Sequence, residues 1–552
     1  MPGVSSFRNN LFRAVLGASA GLLAAFAALA VAALAAGLVR PAAGPVTVVG
    51  GAVIDRTPAA VKDFAIRTFG ENDKTALRLG ILAVLALIAV ALGVLALSHR
   101  RAGSGGVLLF GAVGAAAALS RPDSAGLGDA LPSIAGAVAG ALALYVLASK
   151  AAPGPVPGPG PVPVRVPVSA PVPEPVPTPA DADGQDDAER WNRRGFLTAA
   201  GVTVAASASA GALGTFLSGR QGQGAVASRA NLILPQPASP APAVPAGARL
   251  KIPGVTAFTT PNSDFYRVDT ALTVPKVDAG TWRLRIHGNG VTRPRTYTLD
   301  QLLARPLIER DITLTCVSNE VGGPYIGTAR WLGVPLADLL EEAGVVPPSR
   351  GGEADQLVAR SVDGMTLGSP VEDLMDGRDA MLAVGMNGEP LPFDHGFPVR
   401  MLVPGLYGYV SACKWITDIE LTTFDAYDAY WVKRAWARRA PVKTQSRIDT
   451  PKPFARPAAG TVVVAGVAWA QRRGITRVQI RVDDGPWQDA DLAAQAGVDT
   501  WRQWSYRWGA TPGGHTITVR ATDGTGQVQT ERRTRTIPDG ASGRHSVFVT
   551  VT

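Results

Sequence analysis

The chain has 552 residues, too many for one ordinary domain, and length alone argues for roughly three or four units. The 47% apolar content is high for a soluble protein, and the excess is concentrated in the first 220 residues as runs of Ala, Leu, Val and Gly. The net charge of +9 comes with neither a clustered basic face nor a nucleic-acid-binding motif, which excludes nucleic acid as a partner, and two cysteines exclude a multi-bridge disulfide framework or a four-cysteine zinc site.

Residues 1–150 are expected to be a four-helix transmembrane region. Apolar runs at 14–38, 79–98, 106–120 and 129–149 are each read as one bilayer span. Arg8 and Arg13 precede the first run, Arg100 and Arg101 follow the second, and Lys150 ends the fourth. The positive-inside rule then puts the N-terminus in the cytoplasm and residues 39–77 in an outside loop. Residues 151–190 form a linker: proline alternates with Val, Gly and Ala up to 179, which precludes a helix and favours an extended spacer, and an acidic stretch follows.

At 191–218 the sequence Trp191-Asn192-Arg193-Arg194-Gly195-Phe196-Leu197 leads into an Ala/Ser-rich apolar run. Paired arginines in this setting resemble a twin-arginine export signal; otherwise the segment is a fifth membrane helix. Either reading places the chain beyond residue 220 outside the cytoplasmic membrane. Residues 219–255, rich in Pro and Ala, are expected to be a tether. From 256 to 435 strand-like and helical patterns mix, as in the alternation at 281–286 and the helical spacing at 334–342, which points to an α+β domain. From 440 to 552 short β-rich runs at 461–469, 478–482, 504–508 and 515–521 are separated by Gly/Pro/Asp turns, a spacing that fits a β-sandwich.

A lone cysteine such as Cys316, in Thr313-Leu314-Thr315-Cys316-Val317-Ser318-Asn319-Glu320, is ordinarily a small buried hydrophobe. Its surroundings change the reading. Gly327-Thr328-Ala329-Arg330-Trp331-Leu332-Gly333-Val334-Pro335-Leu336 follows, then Met386-Asn387-Gly388-Glu389-Pro390-Leu391-Pro392, Asp394-His395-Gly396-Phe397-Pro398-Val399-Arg400, Val403-Pro404-Gly405-Leu406-Tyr407-Gly408 and Lys414-Trp415. This ordered set, over about 255–430, resembles the molybdopterin-binding domain of the sulfite oxidase family. Gly466-Val467-Ala468-Trp469-Ala470 and the Trp501/Trp504/Trp508 series look like the family's immunoglobulin-like dimerisation domain.

The resemblance implies a molybdenum–molybdopterin cofactor with Cys316 as the thiolate metal ligand. Soft thiolate ligation suits such a metal, and the anionic pterin phosphate calls for cations and positioned polar groups. Arg400 and Lys414 are the implied cations, His395 a pterin or phosphate contact, and the amides of Ala412 and Cys413 a phosphate cradle. Pro261-Asn262-Ser263-Asp264-Phe265-Tyr266-Arg267-Val268-Asp269 resembles the family's first cofactor-contact segment, which brings in Asn262, Tyr266 and Arg267, the last in a catalytic role beside Cys316. Asp363 matches a further polar pterin contact. Cys413 itself is read as a packed thiol, because a disulfide to Cys316 would remove the metal ligand.

The sequence departs from the family at two places. The family's second substrate-binding arginine, just after the Cys-x-x-Asn run, is replaced by Glu320 and Val321, and the family's tyrosine before Met-Asn-Gly is missing from Leu382-Ala383-Val384-Gly385. Losing a bidentate anion contact changes recognition, so the expected substrate is a small molecule or a sulfoxide rather than sulfite, handled by two-electron oxygen-atom transfer. Among the five histidines only His99 falls in the first 220 residues, so no bis-histidine haem is expected, and electrons are expected to pass to an external carrier or a quinone-linked partner. A homodimer is the assembly the C-terminal resemblance implies. The competing readings are a non-catalytic membrane-tethered binding or assembly protein with a degenerate cofactor domain, and a transporter, which the near-absence of charge inside the spans disfavours.

Overall fold

The computed structural model describes residues 3–58, 61, 64, 68–69, 73–121, 124, 126–151 and 193–552. The expected linker from 152 to 190, and Trp191 and Asn192 of the arginine motif, lie outside the described residues. Two compact units emerge: Met1–Asp55 with Lys74–Gln221, and a second that contains Gly222–Thr552.

In the first unit, Ala/Leu/Val runs without proline beyond the first turn produce α1 (Gly3–Val39), α2 (Pro45–Arg56), α3 (Asp73–Ser98), α4 (Arg100–Leu119) and α5 (Leu131–Ala151), and α6 (Arg193–Ala230) starts at the arginine pair. Among the described residues, five helical stretches are long and apolar enough to cross a membrane: Leu11–Val39, Lys74–Ser98, Arg100–Leu119, Leu127–Ala151 and Arg194–Ala230. Small residues let backbones touch. A Cβ added at Gly21 would lie 1.9 Å from the Ala89 carbonyl oxygen, and one at Gly93 would lie 2.0 Å from that of Gly17, so α1 and α3 cross in direct backbone contact. Leu16, Ala20 and Ala24 of α1 share a core with Leu144 and Leu147 of α5. The loop expected at 39–77 carries α2, a helix too short and too interrupted in sequence to show as a span.

The second unit begins with a correction. Residues 219–230, read as tether, continue α6, and 231–255 are docked rather than free. Leu232, Leu234 and Val244 pack on the hydrophobic core, and Ser239 bridges to Ile308. Proline removes the helical signal, yet an extended chain can still satisfy the edge of a neighbouring sheet.

Two sheets follow, the first mixed and the second antiparallel between its strands. The first runs β2-β1-β10-β5-β6, with β1 (Arg283–Gly288), β2 (Arg295–Thr298), β5 (Gln356–Ser361), β6 (Thr366–Pro370) and β10 (Ile416–Thr422); β1 and β10 are parallel, the other pairs antiparallel. The alternation at 281–286 is realised in β1, where Leu284 and Ile286 are buried and Arg283 and Arg285 exposed. The second runs β3-β4-β7-β8, with β3 (Ile308–Thr315), β4 (Ile326–Pro335), β7 (Met381–Met386) and β8 (Glu389–Pro390); β9 (Arg400–Leu402) also pairs with β7. The helical spacing at 334–342 becomes the helix Leu336–Glu342. One core, including Trp331, Leu339, Leu357, Val384, Phe397 and Ile419, joins both sheets.

The C-terminal region is a β-sandwich of two four-stranded antiparallel sheets. One is β11-β12-β16-β15, from β11 (Gln445–Thr450), β12 (Gly460–Trp469), β15 (Asp491–Leu492) and β16 (Arg502–Ala510). The other is β14-β13-β17-β18, from β13 (Ile475–Val482), β14 (Gln488–Asp489), β17 (Gly513–Asp523) and β18 (His545–Val551). Trp504 and Trp508 fill the space between them, with Ile480, Val519 and Val549. Trp501 belongs instead to the core of the preceding domain, where its indole nitrogen donates to the Phe258 carbonyl at 2.9 Å.

Candidate cofactor and metal site

Cys316 is the first residue after β3, in the turn that joins β3 to its antiparallel partner β4. Its amide donates to the Tyr325 carbonyl at 3.0 Å, and its carbonyl accepts from the Asn319 amide at 3.0 Å. The Asn319 side chain accepts from the Tyr325 amide at 2.8 Å, which closes the loop around the thiol. The hairpin therefore fixes the thiol from both sides of the turn. Burial pushes the Cys316 thiol up, opposed by hydrogen bonds from Ser318 and by the charge of Lys414. A soft metal cation would reverse that shift, because a coordinated thiol gives up its proton.

Arg400 opens β9 and is 3% exposed. Its guanidinium lies 5.0 Å from the Trp331 ring centroid, and Nη1 donates to the His395 carbonyl at 3.3 Å. Its buried Nε has no partner among the described residues. Burial pulls its pKa down to about 10, with Tyr266 and Cys413 opposing. A buried guanidinium with an unmet donor costs free energy that an incoming anion or acceptor would recover.

His395 is also buried, with its pKa drawn down to about 3 by burial first and then by the charges of Lys414 and Arg400. The ring is therefore neutral at pH 7. Its Nε2 lies 3.1 Å from the Asn262 carbonyl oxygen, which can only accept, so Nε2 carries the proton. That leaves Nδ1 as a buried acceptor without a donor among the described residues. The site thus holds one unmet donor and one unmet acceptor, the pair of functions a pterin with both kinds of polar edge would use.

Lys414 Nζ donates to Asp269 Oδ2 at 3.1 Å, and Arg267 Nε donates to the same oxygen at 3.1 Å. Arg267 also approaches Asp394, at 3.8 Å. Tyr266 stacks on Phe265 at 5.2 Å and meets Tyr325 edge-on at 6.3 Å; burial, then the nearby Cys316, push its hydroxyl up, while Arg400 opposes. Asn262 donates to Glu389 Oε1 at 2.6 Å and to the Met386 carbonyl at 3.2 Å, and accepts from Asn387 at 2.8 Å. Asp363 accepts from the Met365 amide at 3.3 Å in the turn between β5 and β6, and its charge reaches Cys413. Burial and Asp363 push the Cys413 thiol well above its usual range, so it stays protonated, and it contacts the Lys414 carbonyl at 3.7 Å. Both cysteines are free thiols.

One assignment is overturned. The Ala412 amide donates to the Gly408 carbonyl at 2.9 Å, ending the one-turn helix Gly408–Ser411, and so is not available to a phosphate. A short helix consumes its last amides internally, which sequence proximity to Lys414 did not reveal. The structure also adds residues that motif reading passed over. Asp269, two positions beyond Arg267, holds both Arg267 and Lys414. Tyr407, inside the Val-Pro-Gly-Leu-Tyr-Gly run, is buried and its hydroxyl is raised, first by burial and also by Cys316.

Residues 271–431 match the family model described as oxidoreductase molybdopterin binding domain. This stretch is a molybdopterin-binding oxidoreductase domain of the sulfite oxidase type. It takes in Cys316, Asp363, His395, Arg400, Ala412, Cys413 and Lys414, and it implies a molybdenum–molybdopterin cofactor; Asn262, Tyr266 and Arg267 lie just before it. Mitochondrial sulfite oxidase of Mus musculus is 31% identical over 291 residues, which is 45% of this chain and 53% of that protein. Sulfite oxidase of Gallus gallus is 32% identical over 274 residues, 43% of this chain and 59% of that protein. The chain therefore spans little more than half the length of these curated relatives. The solved sulfane dehydrogenase SoxCD of Paracoccus pantotrophus is 26% identical, covers 54% of this chain and 82% of its own, and overlays with a TM-score of 0.47.

Proposed function

We propose that the chain is a membrane-anchored, molybdenum-dependent oxidoreductase that carries out two-electron oxygen-atom transfer on a small-molecule or sulfoxide-type substrate, with Cys316 as the protein's metal ligand. The observation that carries this is the buried trio of the Cys316 thiol, the unmet Arg400 Nε and the unmet His395 Nδ1. The residues fit the cofactor the domain implies. When bound, that cofactor supplies a metal centre able to exchange two electrons and an oxygen atom. Cys316 provides a thiolate held by its hairpin, and Arg400 and Lys414 offset the phosphate charge. His395 Nδ1 accepts from a pterin donor, and Arg400 Nε donates to a pterin acceptor. Tyr266, the partly buried ring whose hydroxyl interacts with Cys316, keeps water from the thiolate, and Arg267, tied to Asp269, orients the substrate.

The substrate class rests on Glu320 and Val321, which replace the anion-binding arginine expected after Asn319. The five apolar helical stretches support anchoring, and Arg193-Arg194 supports export of the catalytic domain beyond the cytoplasmic membrane. The C-terminal sandwich is read as immunoglobulin-like and as a homodimer contact. With His99 the sole histidine before residue 220, the bundle is read as haem-free, and a separate carrier or quinone-linked partner takes the electrons.

The test is metal analysis of the full chain from cofactor-competent cells, joined to turnover assays with sulfoxides, N-oxides and sulfite. The expected result is bound molybdenum and sulfoxide or N-oxide turnover well above sulfite turnover. Metal-free protein would contradict the cofactor reading, and preferred sulfite turnover would contradict the substrate reading.

A further inference from the structure

The outer edge of β3 is unpaired within its own sheet, since β4 lies on its other side. Such an edge leaves backbone donors and acceptors that must be met elsewhere. Toward the start of the strand Ser239 meets them: the Glu309 amide donates to the Ser239 carbonyl at 2.8 Å, and the Ser239 amide donates to that of Leu307 at 3.2 Å. Toward Cys316 the C-terminal sandwich takes over. The Thr313 amide donates to the Asp499 carbonyl at 2.9 Å, and the Trp501 amide donates to Thr313 Oγ1 at 2.7 Å. Gln471, two residues beyond the end of β12, donates through Nε2 to the Thr313 carbonyl at 2.9 Å and to Thr315 Oγ1 at 3.2 Å.

Gln471 is 1% exposed, and its Oε1 meets no donor among the described residues. Burying a half-satisfied amide is unfavourable, so the two bonds from Nε2 are what keeps the side chain there. Those bonds end at Thr315, the residue before Cys316. The sandwich also grips the far side of the same turn. Arg447 Nη1 donates to the Gly323 carbonyl at 2.8 Å, and a Cβ added at Gly322 (φ +82°) would lie 2.2 Å from the His545 ring.

We propose that Gln471 is a positioning residue for Cys316: it fixes the last turn of β3 from the C-terminal sandwich, so that this domain sets the placement of the metal-binding thiol. The proposal rests on the reading of Cys316 as the metal ligand. It makes the sandwich part of the site rather than an appendage.

The test uses the full chain, prepared with and without cofactor, with Gln471→Met to keep the volume and Gln471→Ala as a second variant. Arg477→Ala, which removes an exposed ion pair to Asp489 in the same sandwich, is the control. In cofactor-free protein, iodoacetamide labelling of Cys316 is followed by mass spectrometry, with the deeply buried Cys413 as internal reference. Loss of the two bonds is expected to speed Cys316 labelling about tenfold, the equivalent of about 1.4 kcal/mol of local opening, with Cys413 and the control unchanged. In loaded protein, bound molybdenum stays at the wild-type level while the Mo(V) electron paramagnetic resonance signal shifts. Wild-type labelling, or equal acceleration of both cysteines, overturns the proposal, as does an unshifted signal in metal-loaded variants. The labelling arm needs no metal, so failure of the clamp and failure of the cofactor reading are told apart.

Discussion

Arg400 and Asp523 are both buried charges, yet they sit in opposite circumstances. Asp523, at the end of β17, accepts from Thr444 Oγ1, Arg473 Nε, the Thr525 amide and hydroxyl, and the Gln527 amide, at 2.7–3.1 Å. Its carboxyl is held down to about 2, although burial by itself would raise it. Arg400 has one long bond to a carbonyl, an aromatic face and an idle Nε. Every one of these partners of Asp523 belongs to the sandwich itself. The cofactor domain keeps its buried charge unspent, together with an unspent acceptor on His395. A saturated buried charge marks architecture, whereas an unsaturated one marks a place where something binds.

The largest effect that would break this contrast is at Arg400. Arg400→Met is expected to weaken cofactor retention by roughly 100-fold, about 3 kcal/mol, while leaving the cofactor-free chain as stable as wild type or more so. Pterin release and thermal unfolding measure the two halves, and a destabilised cofactor-free variant would mean that Arg400 is structural. Asp523→Asn should behave oppositely: about 2 kcal/mol less stable at pH 7, with cofactor content unchanged. Its folded pKa is below the unfolded value, so the stabilisation is present above about pH 4 and lost as pH falls through about 2. The gap between wild type and variant in denaturant unfolding should therefore close on acidification.

His395 sharpens the same point with the same sign but a different cause, because burial there disfavours the charged form. Its folded pKa, about 3, lies below the unfolded value of 6.5, so the unfolded chain takes up the proton first. Cofactor-free protein should lose stability as pH drops from about 6.5 toward 3, and His395→Gln should flatten part of that slope. A slope unchanged in the variant would place the acid sensitivity elsewhere, with His545, drawn down to about 4 by burial, as the next group to vary. The smallest effect is expected at Cys413: Cys413→Ala should cost about 1 kcal/mol in denaturant unfolding, the loss of one buried, packed group.

Much of this was legible in the sequence because the signals are local. The alternation at 281–286, the turn-separated runs after 440 and the long Ala/Leu runs each encode their own element. The motif order brought Cys316, His395, Arg400 and Lys414 into one site across residues 316–414 without any fold prediction. What stayed hidden depends on pairing between distant segments. Proline-rich 231–255 reads as a spacer until the edge of β3 is seen beneath Ser239. The Ala412 amide looks free until the one-turn helix before it is drawn. Gln471, in a loop of a different domain, carries no local mark at all, because its meaning lies in which strand edge it reaches.

The central claim is that Cys316, and not the more deeply buried Cys413, holds the metal. Molybdenum per chain, measured on wild type, Cys316→Ala and Cys413→Ala from cofactor-competent cells, tests it directly. The account predicts about one molybdenum per chain in wild type and Cys413→Ala, and almost none in Cys316→Ala. Full metal content in Cys316→Ala, or its loss in Cys413→Ala alone, would contradict it.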